Sequence, residues 1–235
     1  MIKFFNANKK DSLKKLESFL SLRKSRQRSQ SSAVKKILLK VKKNGDKAVL
    51  SYEKKFSKIK TADSRLSFSK KEISTILKKI DKDVKKSIDL AFSRIRYFHS
   101  KQKHLSFKYK DKYNNQISYR YLPLESVGVY VPGGTASYPS TVLMNCIPAL
   151  VAGVKNIYLT TPALGVSVNP AIIYAAKKCG VKEIYKAGGA HSIAALTFGT
   201  KIFKKVDKIV GPGNAFVAAA KKEVFGEVGI DMVAG

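Results

Sequence analysis

Four glycine-bearing turns between residues 127 and 235 carry the most readable chemistry of this chain. Pro132-Gly-Gly-Thr135, Thr161-Pro-Ala-Leu-Gly165, Ala187-Gly-Gly-Ala190 and Gly211-Pro-Gly-Asn214 each follow a short apolar run and precede a helical one. Glycine in such a turn lets backbone N–H groups come close to a phosphate, and the N-terminus of the next helix favours negative charge. The expected chemistry is binding of a phosphorylated ligand. No turn completes the pattern G-x-G-x-x-G: Gly211-Pro-Gly213 supplies its first half, and Phe216 stands where the third glycine would be.

The side chains add little chemistry of their own. His191 opens a helix directly after Gly188-Gly-Ala190, and from position alone it reads equally as a ligand contact or as a helix-start residue. His99 and His104 lie in or just after a lysine-rich helix and are expected to be exposed. No H-x-x-x-H, H-E-x-x-H or Cys/His cluster suits a metal ion. Ser140 and Ser192 lack the G-x-S-x-G setting of an activated serine, and Ser140 is expected to cap a helix ending at Gly153. Cys146 and Cys179 sit among apolar neighbours and read as reduced core thiols.

The elements that position these turns follow from periodicity. Apolar strands 127–131, 156–160, 183–186 and 208–210 recur about every 25 residues with a helix between them, which is the βαβ pattern of a parallel sheet. A four-stranded parallel sheet is expected, with all four turns on its carboxyl edge, where open α/β sheets bind ligands. Asn169-Pro170 is an N-cap followed by proline at the first helical position, and Gly180 ends that helix.

Upstream, Leu13, Leu16, Phe19 and Leu20 form a short apolar stripe. A polar basic linker is expected over Arg23-Lys-Ser-Arg-Gln-Arg-Ser-Gln-Ser-Ser32. Val34, Ile37, Leu38 and Val41 follow at helical spacing. Asn44-Gly45-Asp46 separates that helix from one bearing Val49, Tyr52 and Phe56 on a shared face. Ser69-Lys-Lys-Glu72 is a capping box. Two helices then point Ile73, Ile76, Ile88 and Ile95 inward. Alternation of Phe107, Tyr109, Ile117, Tyr119 and Tyr121 around a turn at 111–115 predicts a β-hairpin.

Composition sets the bounds. Of a net charge of +30, residues 1–126 carry +24 and residues 127–235 carry +6. Such a field draws polyanions, yet only 7 of the 46 cations are arginine, the residue suited to bidentate contacts. The lysines fall on the polar faces of separate helices rather than in one stripe, so nucleic acid is not the expected partner. No run approaches the roughly 20 apolar residues of a membrane helix, and the first ten residues lack the apolar stretch expected of a secretory signal.

Taken together, several stretches closely resemble histidinol dehydrogenase: Val127 to Met144, Gly188 to Leu196, Val206 to Asn214 and Val228 to Met232. Gly45-Asp-Lys-Ala48 with Tyr52 and Phe56, and Ile95 to Gln102, fit as well. The resemblance runs from about residue 30 to Gly235. It implies a cytoplasmic, homodimeric enzyme of histidine biosynthesis, roughly twice this length. That enzyme oxidises L-histidinol to L-histidine through an aldehyde, using NAD and zinc. It also implies incomplete Rossmann-like α/β domains with parallel sheets, an aldehyde-dehydrogenase-like architecture preceded by a helical arm. Residues 1–24 would be that arm. Residues 25–126 would be the first half of the larger domain, and 127–235 the smaller, NAD-contacting domain.

Three NAD positions carry over: Tyr130, His191 and Asn214. His191 replaces the family's usual glutamine, and an imidazole can donate or accept there but not in the amide's geometry. Val233 stands in place of the usual proline. The acid/base pair, the substrate-contacting serine and the zinc ligands are expected beyond Gly235. The chain is therefore expected to be an N-terminal portion, inactive alone, with inward isoleucines lacking cover. Two other readings remain open. One is an aldehyde-dehydrogenase-like relative with another substrate, and the other is a non-enzymatic basic protein that binds nucleic acid.

Overall fold

A five-stranded sheet organises the chain. The structure, a computed structural model, describes residues 4–6, 8–9, 11–56, 65–133, 138–163 and 167–232, and only the backbone of 21–30. Strands β3 (Ser126–Tyr130), β4 (Asn156–Thr160), β5 (Glu183–Tyr185), β6 (Lys208–Val210) and β7 (Gly229–Ile230) lie in the order β5-β4-β3-β6-β7, all parallel. The alternation of apolar strands with helices therefore reads correctly as βαβ, and the four expected strands are present. The fifth, β7, has two residues, too short for any period to register. It pairs with β6 through Lys208↔Gly229 and Ile209↔Ile230.

The chain winds outward from β3 in both directions. Helices α4 (Pro139–Ala152) and α5 (Pro170–Lys178) cover one face while β3, β4 and β5 are laid down. Helix α6 (Gly189–Phe198) then carries the chain back across the other face to β6, and α7 (Ala215–Val224) continues on that face. The strand order reverses between β3 and β6, which makes their carboxyl ends the switch point of a doubly wound sheet. Helix α4 starts differently from the sequence expectation. Its cap residue is Tyr138, with no side-chain cap bond and Pro139 at the first helical position, so Ser140 lies inside the helix. Proline needs no N–H partner there, which removes the demand for a serine cap. Asn169 caps α5 as expected, its Oδ1 accepting the Ala171 N–H at 2.8 Å.

The N-terminal residues supply the outer layers. Helix α1 (Ser12–Phe56) is continuous through 23–32, where a linker was expected, and breaks only at Gly45 (φ 52°, ψ −134°). The stretch is polar but contains no proline or glycine, and lysine, arginine and glutamine are good helix formers. Val34, Ile37, Leu38, Val41, Ala48 and Val49 of α1 are buried with α6 and α7 in one core. Asp46, just after the break, accepts the Thr200 hydroxyl at 2.5 Å and the Ile202 N–H at 3.3 Å.

On the opposite face, α2 (Lys70–Leu77) and α3 (Lys82–Ser100) pack over α4 and α5. Ile88 is buried, and Ile73, Ile76 and Ile95 are partly buried against that second core. The expected lack of cover for these isoleucines is thus corrected: the helices of the parallel sheet itself cover them. The hairpin of β1 (Phe107–Lys110) and β2 (Gln116–Tyr119) forms as expected, antiparallel and exposed on both strands. Cys146 and Cys179 are buried free thiols. Their mutual hydrogen bond, reinforced by burial, pushes the Cys146 thiol up, away from reactivity. Among the described residues no helix is long and apolar enough to cross a membrane.

The capping box at Ser69 is present in both directions. Glu72 does a second task there, because its Oε1 accepts the buried Lys186 ammonium at 2.5 Å. Residues 66–68 bridge antiparallel to β5 beside it. Burial would raise the Glu72 carboxyl. The bonds from Lys186 and Ser69 outweigh it and push the carboxyl down to about 2 from an ordinary 4.5. A group depressed on folding contributes stability above its unfolded pKa and loses it as pH falls through the folded one. Glu72→Gln should therefore flatten the acid loss of stability between pH 4.5 and about 2. Denaturant titrations across that window test this, and parallel curves for both proteins would refute it.

Candidate functional site

Tyr130, His191 and Asn214, separated in sequence, line one cleft of about 360 Å³ at the switch point. Tyr130 ends β3, His191 lies in the first turn of α6, and Asn214 precedes α7. Pro132, Gly133, Pro162, Gly188 and Gly189 supply the turn backbone around them. Parallel pairing of β3, β4, β5 and β6 sets all four turns on one edge. The parts of the first two at 134–135 and 164–165, and Val233, lie outside the described residues.

Each of the three side chains is held differently. Tyr130 is buried, and its hydroxyl accepts the Gly189 N–H at 3.1 Å. Burial pushes its phenol up, and the Gly189 bond partly opposes this. Asn214 is exposed, and its Oδ1 caps α7 by accepting the N–H groups of Phe216 and Val217, each at 3.1 Å. Its amide nitrogen is turned to no protein acceptor among the described residues, so it can serve a ligand while the oxygen serves the helix. His191 is only 2% exposed and lies under α1. Its Nε2 is 2.7 Å from Glu53 Oε1, and its ring stacks with Tyr52 and Phe56 at 5.7 and 6.0 Å. The choice between ligand contact and helix-start residue was open in the sequence. Here the imidazole is packed and bonded, and it also borders the cleft.

Glu53 was not foreseen. It is 1% exposed, and its Oε1 also accepts the Gly188 N–H at 2.7 Å, taking one of the unpaired donors at the start of α6. Its position on the Val49–Tyr52–Phe56 side of α1 was the one available signal, and nothing local says that this face meets α6. His99 is half-buried and His104 exposed, and neither borders the cleft. Among the described residues no three His, Cys, Asp or Glu side chains gather around a point that could hold a metal ion.

Close contacts fix the turns around the cleft. Gly211 has φ +107°, and a Cβ there would lie 2.2 Å from the Tyr130 carbonyl oxygen. A Cβ on Gly188 would lie 2.3 Å from Pro162 Cγ. The Gly211 turn is tied from behind. The Gly211 N–H donates to Asp231 Oδ2 at 2.8 Å. The buried Lys221 ammonium donates to the Gly211 carbonyl at 3.0 Å and to Asp231 Oδ1. Burial would raise Asp231, but bonds from Lys221, Gly211 and Met232 hold it below the usual carboxylate range. The glycine turns and the exposed rings of Phe56 and Phe216 around the cleft suit a ligand with planar rings.

Known proteins share this sequence and fold. The sequence profile of the histidinol dehydrogenase family matches residues 21–235. The histidinol dehydrogenase of Pelagibacter ubique is 53% identical over 236 residues, all of this chain and 54% of that protein. That of Mesorhizobium japonicum is 43% identical over 93% of this chain and 51% of its own length. The crystal structure of histidinol dehydrogenase from Elizabethkingia anophelis superposes with a TM-score of 0.82 at 41% identity. It covers 87% of this chain and 47% of that one. The chain spans about half the length of the curated relatives it matches.

The closeness of Gly211 to Tyr130 yields a test. Gly211→Ala must displace the Tyr130 carbonyl and abandon a left-handed backbone, at a cost above the ~1–3 kcal/mol of ordinary overpacking. The expected outcome is a clearly lowered unfolding midpoint, with the largest amide shift changes at Tyr130 and Asn214. A variant of wild-type stability with an undisturbed cleft would contradict the geometry.

Proposed function

This chain belongs to the histidinol dehydrogenase family. From that premise we propose that it contributes the NAD-contacting part of an enzyme oxidising L-histidinol to L-histidine through histidinal. The observation that carries the proposal is the convergence of Tyr130, His191 and Asn214 on one cleft at the sheet's switch point. The residues present fit the dinucleotide. A buried nitrogen of His191, Nδ1, has no partner among the described residues, and Asn214 borders the cleft with an amide nitrogen that meets no acceptor there. NAD, when bound, supplies the hydride acceptor for both oxidations.

The roles of the chain's own groups follow from their bonding. At the head of α6 the Gly188 and Gly189 N–H groups are committed to Glu53 and Tyr130. Tyr130 holds the head of α6 against the end of β3. Asn214 offers its amide nitrogen, and Phe56 and Phe216 offer exposed ring faces for a planar group. Residues 127–235 are on this reading the smaller, NAD-contacting domain, and 25–126 the first half of a larger one. Homodimer formation and a cytoplasmic location belong to the same proposal. Zinc belongs to it as well, but the described residues do not fit that ion. No step is assigned through it, and no residue here is assigned as the base for the hydroxyl proton.

Titration of NAD into isotopically labelled protein tests the proposal. Amide signals of Tyr130, Gly189 and Asn214 should move together, while those of the 107–119 hairpin stay still. With histidinol, NAD and zinc added, the 235-residue chain should form no NADH above a protein-free blank. Immobile cleft signals at millimolar NAD would refute the cofactor assignment. Measurable NADH formation would refute the view that the acid/base groups lie outside these residues.

A further inference from the structure

The Glu53–His191 pair carries an inference that rests on the cofactor reading above and goes into its detail. Both residues are buried, at 1% and 2% exposure, and they lie 138 positions apart in sequence, on α1 and α6. The Nε2–Oε1 distance is 2.7 Å, and the same oxygen accepts the Gly188 N–H at 2.7 Å. The ring cannot turn freely, because it stacks with Tyr52 and Phe56. Its other nitrogen, Nδ1, is buried and meets no donor or acceptor among the described residues. That nitrogen lies beside Gly189, where an added Cβ would sit 3.5 Å away. A buried polar atom left unpaired is costly, so such atoms call for a partner.

Charge decides which proton the ring keeps. As a carboxylate Glu53 only accepts, so Nε2 must donate. The opposite tautomer would aim a nitrogen lone pair at a carboxylate oxygen 2.7 Å away. A doubly protonated ring would instead bury an unpaired N–H. We propose that Glu53 is a positioning residue that fixes His191 as its Nε2–H tautomer, so that Nδ1 acts as a hydrogen-bond acceptor for the cofactor. The subsite at the head of α6 then selects a ligand group that donates, an amide N–H or a hydroxyl, and disfavours a bare phosphate oxygen. In NAD the candidates are the carboxamide and the ribose hydroxyls.

Histidine-ring 15N NMR of the 235-residue chain near pH 8 tests this directly, with His191→Gln used only to assign one of three histidines. The expected result is a protonated Nε2 and a bare Nδ1 whose signal shifts when NAD is added. Glu53→Gln, whose amide can donate as well as accept, should let the other tautomer appear and weaken NAD binding roughly two- to tenfold. The acetylpyridine analogue of NAD carries a methyl in place of the carboxamide nitrogen. Loss of the difference between the two proteins with that analogue would assign the donor to the carboxamide, and a retained difference would assign it to a hydroxyl. A His191 ring protonated at Nδ1, or ring signals unchanged in Glu53→Gln, would overturn the inference, and the wild-type measurement does not depend on the Glu53 variant. Cleft amides unmoved by NAD would instead remove the cofactor reading and the ligand half of this inference, while the ring nitrogens still judge the role of Glu53.

Discussion

A parallel sheet buried by helices has two apolar faces, and neither can be left in water. That requirement governs this chain. Helices α4 and α5 cannot cover the β3–β4–β5 face and also bury their own outer sides, nor can α6 and α7 on the other face. The N-terminal hundred residues solve both problems, with α1 laid over α6 and α7 and with α2 and α3 laid over α4 and α5. The cleft is a by-product of the first of these packings. Once α1 crosses the head of α6, Glu53 reaches Gly188 and His191, and a helix recruited to cover apolar surface becomes one wall of a binding site.

The parts of the fold legible in the sequence are those whose signals are local. Strand, glycine turn and capped helix recur with a regular spacing, and the sheet follows it. The Ser69–Glu72 box and the stop at Gly45 are also local devices, and both are found where the residues place them. The errors have local causes too. The segment 23–32 looks like a linker because it is polar, but polarity is no barrier to a helix without proline or glycine. Strand β7 is too short to show a period. Tyr130, His191 and Asn214 were placed through family resemblance, whereas Glu53 depends on a contact between helices that no short window contains.

Surface charge and interior charge obey different rules in this molecule. Most lysines stand in solvent on helix faces, where they repel one another and cost little. Two do not. Lys186 and Lys221 are each 3% exposed, and each meets a carboxylate. One fastens α2 to the end of β5, and the other fastens the Gly211 turn to Asp231. Lys186 directly follows β5, whereas Lys221 lies in α7 and reaches the turns after β6 and β7. Removing one partner of such a pair leaves an uncompensated buried charge. These two lysines therefore matter in a way that the overall excess of positive charge does not reveal.

The bridge that residues 66–68 make to β5 has a further consequence. Phe68 donates its N–H to Ile184 and Leu66 accepts the N–H of Lys186, so the outer hydrogen-bonding groups of β5 are already engaged. A sheet grows only where such groups are open, and an open edge is also where unrelated chains adhere. Among the described residues this sheet is sealed on the β5 flank, so a further strand would join it past β7. Growth of the sheet thus has a direction, away from the lysine-bound end and toward the Gly229–Ile230 margin. A strand arriving from any source would find its register there, dictated by two residues.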